Sequence, residues 1–326
     1  MAKSSLRNRI LQIRVSSCII VILCLITVIQ FFITCGKYNY PHTPRTELVD
    51  KLFTGVTPFL ASKQSKPDCT YINILQSKKS HHSWDIPRKY DDFSPKGIMN
   101  GSYAPEECNP LFSVAILVTY RNRQSQLDIF LPYMHNWLRK QNIHYKIYLI
   151  EQEDEKPWNK GMLYNIGAKY AIADKFPCLI LHDVDLLPLD ESNLYVCMKE
   201  PRHMSASIDK FRFVLTYDTL VGGVLAMRSE QYLLVNGFSN RFHGWGGEDD
   251  DLADRIASRK LSILRFPRDM SEYTMLVHHP EPKNSERQRI MSENKQHISE
   301  DGLNSVVYES IQVKPQRLFT MIKVKL

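Results

Sequence analysis

The chain has 326 residues, 43% hydrophobic and 24% charged, an ordinary globular composition with length for one large α/β domain or for two. Its net charge of +7 comes partly from the N-terminus and the region just after it. No Lys/Arg stripe interleaved with aromatics is present, so nucleic acid is excluded as a partner.

Val15 to Cys35 carry no charge over 21 positions. At about 1.5 Å per residue this is roughly 31 Å of helix, enough for a hydrocarbon core of about 30 Å. The apolar part of a cleaved signal peptide is shorter, about 7–15 residues, so an uncleaved anchor is the better reading. Lys3, Arg7, Arg9 and Arg14 precede the span, and Lys37 and Arg45 are the first basic residues after it. The positive-inside rule then predicts a cytosolic tail (1–14), a transmembrane signal anchor (15–35), a luminal stem (36–66) and a luminal catalytic domain (67–326), a type II single-pass topology. Cys18, Cys24 and Cys35 lie in or beside the span, leaving Cys69, Cys108, Cys178 and Cys197. An even set in an oxidising compartment implies disulfides, with three connectivities open. Asn100-Gly101-Ser102 is a glycosylation sequon.

Pro41, Pro44, Pro58 and Pro67 argue against a long helix in the stem, although Leu52-Phe53 and Phe59-Leu60 could make a short one. Residues 67–110 read as irregular, punctuated by Trp84 and prolines, with a cysteine at each end to tie them down. Val114 to Tyr120 is a β-branched apolar run typical of a strand buried on both faces, ending in Arg121-Asn122-Arg123. Leu127, Phe130, Leu131, Met134, Trp137 and Leu138 recur at helical spacing. A strand at Tyr145–Ile150, a helix from Gly161 to Ala173 and a strand at Cys178–His182 follow, the last running into Asp183-Val184-Asp185. This alternation predicts an α/β fold with a parallel sheet, whose ligands sit beyond the carboxyl ends of the strands. Gly222 to Met227 reads as a strand, Ser229 to Val235 as a helix, Leu261 to Phe266 as a strand, Asp269 to Gln296 as a polar stretch, and Leu318 to Lys323 as a tail strand.

Asp183-Val184-Asp185 at a strand end suits a divalent cation with a diphosphate: alternation points both carboxylates the same way, and hard oxygens suit Mg²⁺ or Mn²⁺. Met275 and His278 taken alone read as a buried thioether and a satisfied surface imidazole. The most unusual stretch is His243-Gly244-Trp245-Gly246-Gly247-Glu248-Asp249-Asp250-Asp251. Acids in a first helical turn favour the positive end of the helix dipole, and Leu252 to Ala257 continues as a helix. That account explains the charge but not a tryptophan set between glycines.

Together these pieces resemble the β-1,4-galactosyltransferases, Golgi enzymes that use a nucleotide sugar. The resemblance rests on Tyr120-Arg121-Asn122-Arg123, Trp158-Asn159-Lys160-Gly161, His182-Asp183-Val184-Asp185-Leu186-Leu187-Pro188, Val221-Gly222-Gly223 and Gly244-Trp245-Gly246-Gly247-Glu248-Asp249-Asp250-Asp251. Met275 with His278 and Asp301-Gly302-Leu303-Asn304-Ser305 extend it, in the same order across roughly residues 69–325. It implies a GT-A fold (Rossmann-like, with a mostly parallel mixed sheet) and an inverting, Mn²⁺-dependent transfer from a UDP-sugar to the 4-hydroxyl of a terminal N-acetylglucosamine in the Golgi. It implies Asp185, Met275 and His278 as metal ligands. Arg121, Arg123, Lys160, Asp183, Leu220, Gly223 and Glu248 are implied on the donor side. Tyr217, Trp245, Gly247, Asp249, Asp250, Arg287 and Met291 are implied on the acceptor side. Asp249 takes the place of the general base, assisted by Glu248, and Trp245 that of a lid and stacking platform. The disulfides implied are Cys69–Cys108 and Cys178–Cys197.

Two departures bear on specificity. Lys160 stands where the family usually has Arg, giving a point charge without the bidentate fork. Leu220 replaces the tyrosine typical of vertebrate galactosyltransferases, leaving room for an N-acetyl group, so UDP-GalNAc is the expected donor with UDP-Gal retained. The Gly246–Asp251 version of the block favours the N-acetylglucosamine-directed branch over the xylose-directed one. A catalytically silent lectin on the same fold is disfavoured by intact Asp185, Asp249 and His278. The expected partners are a GlcNAc-terminated glycan acceptor and the membrane, and the reading leaves room for a homodimer or a partner subunit.

Overall fold

A computed structural model of the chain describes residues 2–34, 40–54, 66–77, 86–279 and 281–326. Phe59-Leu60, Trp84 and Cys35 lie outside the described residues. Two compact units are present, Met1–Asn39 and Tyr40–Leu326. The first is helix α1 (Ala2–Thr34), whose side chains from Arg14 to Phe31 are all exposed. By length and composition it is the one helix among the described residues able to cross a membrane.

In chain order the second unit comprises α2 (Arg45–Phe53), α3 (Ile72–Leu75), β1 (Ser102–Tyr103), β2 (Ser113–Tyr120), α4 (Gln124–Leu138), β3 (His144–Gln152), α5 (Lys160–Ala173), β4 (Cys178–Asp183) and β5 (Leu186–Pro188). It continues through β6 (Arg202–His203), β7 (Ser207–Ile208), β8 (Val224–Arg228), α6 (Ser229–Leu234), α7 (Glu248–Ser258), β9 (Glu272–Met275), α8 (Arg287–Asn294), β10 (Ser310–Pro315) and β11 (Thr320–Lys325). The main sheet has the order β10-β11-β3-β2-β4-β8-β6, with β1 beside β3. Its centre, β11-β3-β2-β4, is parallel, and its wings are antiparallel. A second small sheet has the order β5-β9-β7.

Every residue of β2 is buried, because both faces of the sheet are covered. Val114, Ile116 and Val118 pack in the cluster that holds Leu127, Phe130 and Met134 of α4. The alternate residues Ala115 and Leu117 pack with Leu163, Ile166 and Ala171 of α5. The parallel pairing brings the ends of β2, β3 and β4 to one edge, with Tyr120 opposite Glu151 and Thr119 opposite Asp183.

Three segments depart from the sequence reading. Leu261–Phe266 is not a strand: it makes a single bridge, Arg202 to Leu264, before Pro267. Its Arg265 turns inward to hydrogen-bond loop carbonyls, and that satisfies them without a ladder. The polar stretch 269–296 contains β9 and α8. Within the stretch read as stem, α2 buries Leu48 and Leu52 in the core of the second unit.

Both disulfides implied by the resemblance form, Cys69–Cys108 and Cys178–Cys197. Cys69–Cys108 closes the irregular segment ahead of β2. Asn100-Gly101 is a two-residue hairpin turn, with φ of 54° and 77° and reciprocal Met99–Ser102 backbone bonds, and it presents the exposed Asn100 of the sequon.

Cys178–Cys197 closes a loop with a sequence separation of 19. Replacing both cysteines by alanine is expected to cost about 3 kcal/mol of stability by loss of loop-closure restraint. Denaturant unfolding of the two forms measures it.

Candidate active site

Asparagine at the α5 N-cap sets the first functional group. Asn159 accepts from the Met162 N–H and donates to Asn240 O, so α5 starts rigidly and Lys160 leaves it at a fixed angle. The Lys160 ammonium lies 3.0 Å from Asp183, 3.6 Å from Glu248 and 3.7 Å from Asp249. Tyr164, one turn along α5, donates to Asp183 at 3.2 Å. Burial works against a charged Lys160, but Asp183, Asp249, Tyr164 and Glu248 outweigh it and hold its pKa well above the usual value.

The acids come from two places. Asp183 ends β4, and its N–H bonds to Gly223 O. Gly223 has φ of 91°, and a Cβ there would meet Ser205 Oγ at 2.6 Å and Leu186 Cδ1 at 2.8 Å. Glu248 and Asp249 open α7 behind Gly247, whose φ is 101°. The four-acid run divides into separate tasks. Glu248 is buried, with Oε1 towards Lys160 and Oε2 without a hydrogen-bond partner among the described residues. Asp249 keeps a quarter of its side chain in solvent, 24%. Burial pushes its carboxyl up, Lys160 pulls it down, and Glu248, Asp183 and Asp250 push it up again, to about 7. Asp250 accepts from the Tyr217 hydroxyl at 2.8 Å. Asp251 turns inward to Arg255 and Asn294.

The strand alternation expected through Asp183-Val184-Asp185 stops at Asp183, because Val184 and Asp185 form the turn into β5. The two carboxylates therefore meet different partners, and Asp185 contacts His278 Nε2 at 2.7 Å. That hydrogen bond raises the His278 pKa, and the group is outside the buried core. Antiparallel pairing of β5 with β9 sets Met275 opposite Leu186, and Leu276 N–H bonds to Asp185 O. Carboxylate, imidazole and thioether are thus gathered by one small sheet. Among the described residues no group of three or more His, Cys, Asp or Glu could hold a metal. A cation taken by Asp185, Met275 and His278 would therefore complete its shell from water and a ligand's oxygens. The Asp185 carboxylate and the His278 imidazole suit Mn²⁺, whereas the Met275 thioether is a soft donor unusual for so hard an ion.

Arg121 and Arg123 converge on Glu281, at 3.6 and 3.2 Å, and Arg123 also donates to His279 O. The Arg121 guanidinium lies over the Trp158 ring at 5.3 Å. Trp245 is 54% exposed, held by its backbone to Pro282 and Asn284, with Arg287 of α8 at 5.9 Å from its ring. Met291 lies one turn along α8 and is partly buried. Leu220 packs against Tyr40, Ala206 and Leu215.

Sequence reasoning missed Tyr164, Asp209, Glu281, Arg265 and His203. Asp209 accepts from Met275 N–H and the Thr274 hydroxyl, fixing the strand that carries Met275. No periodicity or motif marks any of these residues; only the tertiary contacts reveal them.

Residues 70–198 match the family model described as the N-terminal region of glycosyl transferase group 7, and residues 202–279 match the one described as the N-terminal domain of galactosyltransferase. The chain is 39% identical over 235 residues to β-1,4-galactosyltransferase 1 of Bos taurus, covering 71% of this chain and 58% of that protein. It is 38% identical over 237 residues to β-1,4-galactosyltransferase 2 of Mus musculus, covering 71% and 64%. The match therefore spans less than two thirds of the length of these relatives. A crystal structure of a Drosophila β-1,4-galactosyltransferase 7 mutant in complex with manganese, UDP-Gal and xylobiose aligns with a TM-score of 0.59 at 28% identity, over 66% of this chain and 94% of that one. The mixed α/β sheet with its acid-lined edge is a GT-A fold, and with both family models matched across that edge the chain belongs to the β-1,4-galactosyltransferase family.

Proposed function

We propose that the protein is an inverting β-1,4-glycosyltransferase. It transfers GalNAc, or Gal, from a UDP-sugar to the 4-hydroxyl of a terminal N-acetylglucosamine, with Asp249 as general base. The observation that carries this reading is the Asp249 carboxylate, partly open to solvent beside Lys160 and Glu248, with a pKa of about 7. A sugar hydroxyl is barely acidic and must lose its proton as the new bond forms, so a base poised near neutrality is what the step needs. One base and one displacement invert the anomeric centre.

The other groups support the same step. The unpartnered Glu248 Oε2 is an acceptor that a donor-sugar hydroxyl would satisfy. Arg121, Arg123 and Lys160 are cations suited to the nucleotide's phosphates. Asp185, Met275 and His278 would hold a Mn²⁺, which would supply charge neutralisation for the departing diphosphate. Tyr217 and Asp250 hold one another at the open end of α7, where the acceptor would lie, and exposed Trp245 offers a face for a pyranose. We place the protein in the Golgi membrane with its catalytic domain luminal. The basic residues ahead of α1 and the disulfides beyond it support this. A xylose-terminated acceptor is the second reading, favoured by the xylobiose bound to the Drosophila neighbour.

Incubating the protein with Mn²⁺ and GlcNAc- or xylose-terminated acceptor, with UDP-Gal and UDP-GalNAc in separate reactions, is expected to give UDP release fastest with UDP-GalNAc and the GlcNAc acceptor. Release in no reaction refutes the enzyme, and a preference for UDP-Gal refutes the donor choice.

Asp249→Asn is expected to lower kcat by at least about 100-fold while UDP binding, measured by calorimetry, stays within about twofold. The folded pKa of Asp249 lies above the ordinary carboxylate value, so its contribution to stability is present at low pH and lost as pH rises through about 7. The Asn variant is therefore expected to melt no lower than the parent protein at pH 8.

A base with a pKa of about 7 must be deprotonated to act. The rate is expected to fall about tenfold per pH unit below that value and to level off above it. A flat profile between pH 5 and about 8 excludes Asp249 as base.

A further inference from the structure

The loop that carries Tyr217, Leu220, Gly222 and Gly223 is held from behind by a buried polar device. The Arg265 guanidinium, 4% exposed, donates to Asp218 O at 2.7 Å and Leu220 O at 2.9 Å. Its Nε donates to His203 Nδ1 at 3.2 Å, and His203 Nε2–H donates to Gly222 O at 3.0 Å. Three alternate carbonyls of one loop are thus anchored by two side chains that never reach the site. The loop's front touches the acids: a Cβ at Gly222 would lie 2.5 Å from Asp249 Oδ2, and Tyr217 bonds Asp250. Small loop movements therefore displace the base.

The segment that follows the membrane span covers this device. Thr43 N–H bonds to Arg265 O at 2.9 Å, and the buried Tyr40 donates its hydroxyl to Phe266 O at 3.0 Å. The Tyr40 ring packs with Ala206 and Leu215, and Leu220 of the loop rests against that cluster. Between these contacts and α2 lies a cavity of about 570 Å³, lined by His42, Lys51, Met198, Glu200 and Leu264 among others. The segment is therefore fastened at Tyr40–Thr43, at Arg45, which donates to Leu75 O and Asp269, and at Leu48 and Leu52.

We propose that Tyr40, through Leu220 and Arg265, is a positioning residue for the donor side of the site, so that the membrane-proximal segment tunes donor binding and is more than a spacer. This rests on the function proposed above. Tyr40 touches no reacting atom, and its effect runs through the carbonyls of Asp218, Leu220 and Gly222.

The test uses the detergent-solubilised full chain. Tyr40→Ala is expected to raise the KM for the UDP-sugar by at least about fivefold and to lower kcat by at least about threefold, because the loop it supports also touches Asp249. It is also expected to speed amide hydrogen exchange in residues 215–224. Tyr40→Phe, which keeps the ring, is expected to restore both. Leu138→Ala, a buried site on α4 outside the membrane-proximal segment, controls for lost stability and is expected to lower Tm without changing donor KM or exchange in 215–224. Exchange in 215–224 that stays at the parental rate in Tyr40→Ala, or a donor KM that moves no more than in Leu138→Ala, overturns the proposal. A parental chain that turns over no UDP-sugar refutes the function instead, and the exchange measurement still decides the role of Tyr40.

Discussion

The site depends on one buried ammonium. Lys160 is the shared partner of Asp183 at the end of β4 and of Glu248 and Asp249 at the start of α7. Without it these carboxylates could not be held together in a partly desolvated edge, because each would repel the others and protonate. Their negative charge still exceeds what one lysine can balance, and burial adds to the strain, which is why Asp249 sits near neutrality rather than in the ordinary carboxylate range. A surplus of acid beside Asp185 and His278 is an electrostatic site that a divalent cation relieves. The departure from the family's Arg matters here: a compact ammonium can serve carboxylates from three directions, whereas a planar fork would favour one.

The acid run at 248–251 is coherent once each side chain is followed. Four adjacent carboxylates on a strand or loop would be costly, but on a helix they fan out at about 100° per residue. Gly247, in a left-handed conformation, starts the helix where Glu248 and Asp249 face Lys160. Asp250 then faces Tyr217, and Asp251 reaches back into the protein to Arg255, which also meets Asp301. Asp251 is a structural residue within a functional motif. The fully buried Arg255 fastens α7 to Asp301, and Asp251 fastens it to Asn294 of α8, so Asp249 is mounted on a helix that is itself pinned.

The parallel centre of the sheet was legible because β2, the middle of β3 at Ile147–Ile150 and β4 up to His182 are buried on both faces and so run largely apolar, with helices of regular periodicity between them. The short elements were not. β9 is paired on both edges but buries only Tyr273, and α8 buries only Ile290 and Asn294, so both lie in a polar stretch, and β5 and β7 are too short to show alternation. Leu261–Phe266 failed for the opposite reason: its apolar residues imitate a strand, while Arg265 spends its hydrogen bonds on a loop. For the site, motif residues such as Asp183, Asp185, Glu248 and Asp249 could be named in advance. Asp209, Tyr164, Glu281 and Arg265 could not, since their roles arise only when distant segments meet.

The same distinction bears on donor choice. From the sequence, Leu220 reads as a side chain that leaves room for a substituent on the donor. Here the Leu220 backbone is gripped by Arg265 and its side chain rests on the Tyr40, Ala206 and Leu215 cluster. A larger residue at 220 would have to displace that cluster or move the loop, and the loop leads through Gly222 to Asp249. Volume at 220, the packing behind it and the position of Asp249 are therefore one coupled quantity, because close-packed interiors transmit displacement instead of absorbing it. A substitution that changes the sugar accepted should, on this geometry, also change how fast it is transferred.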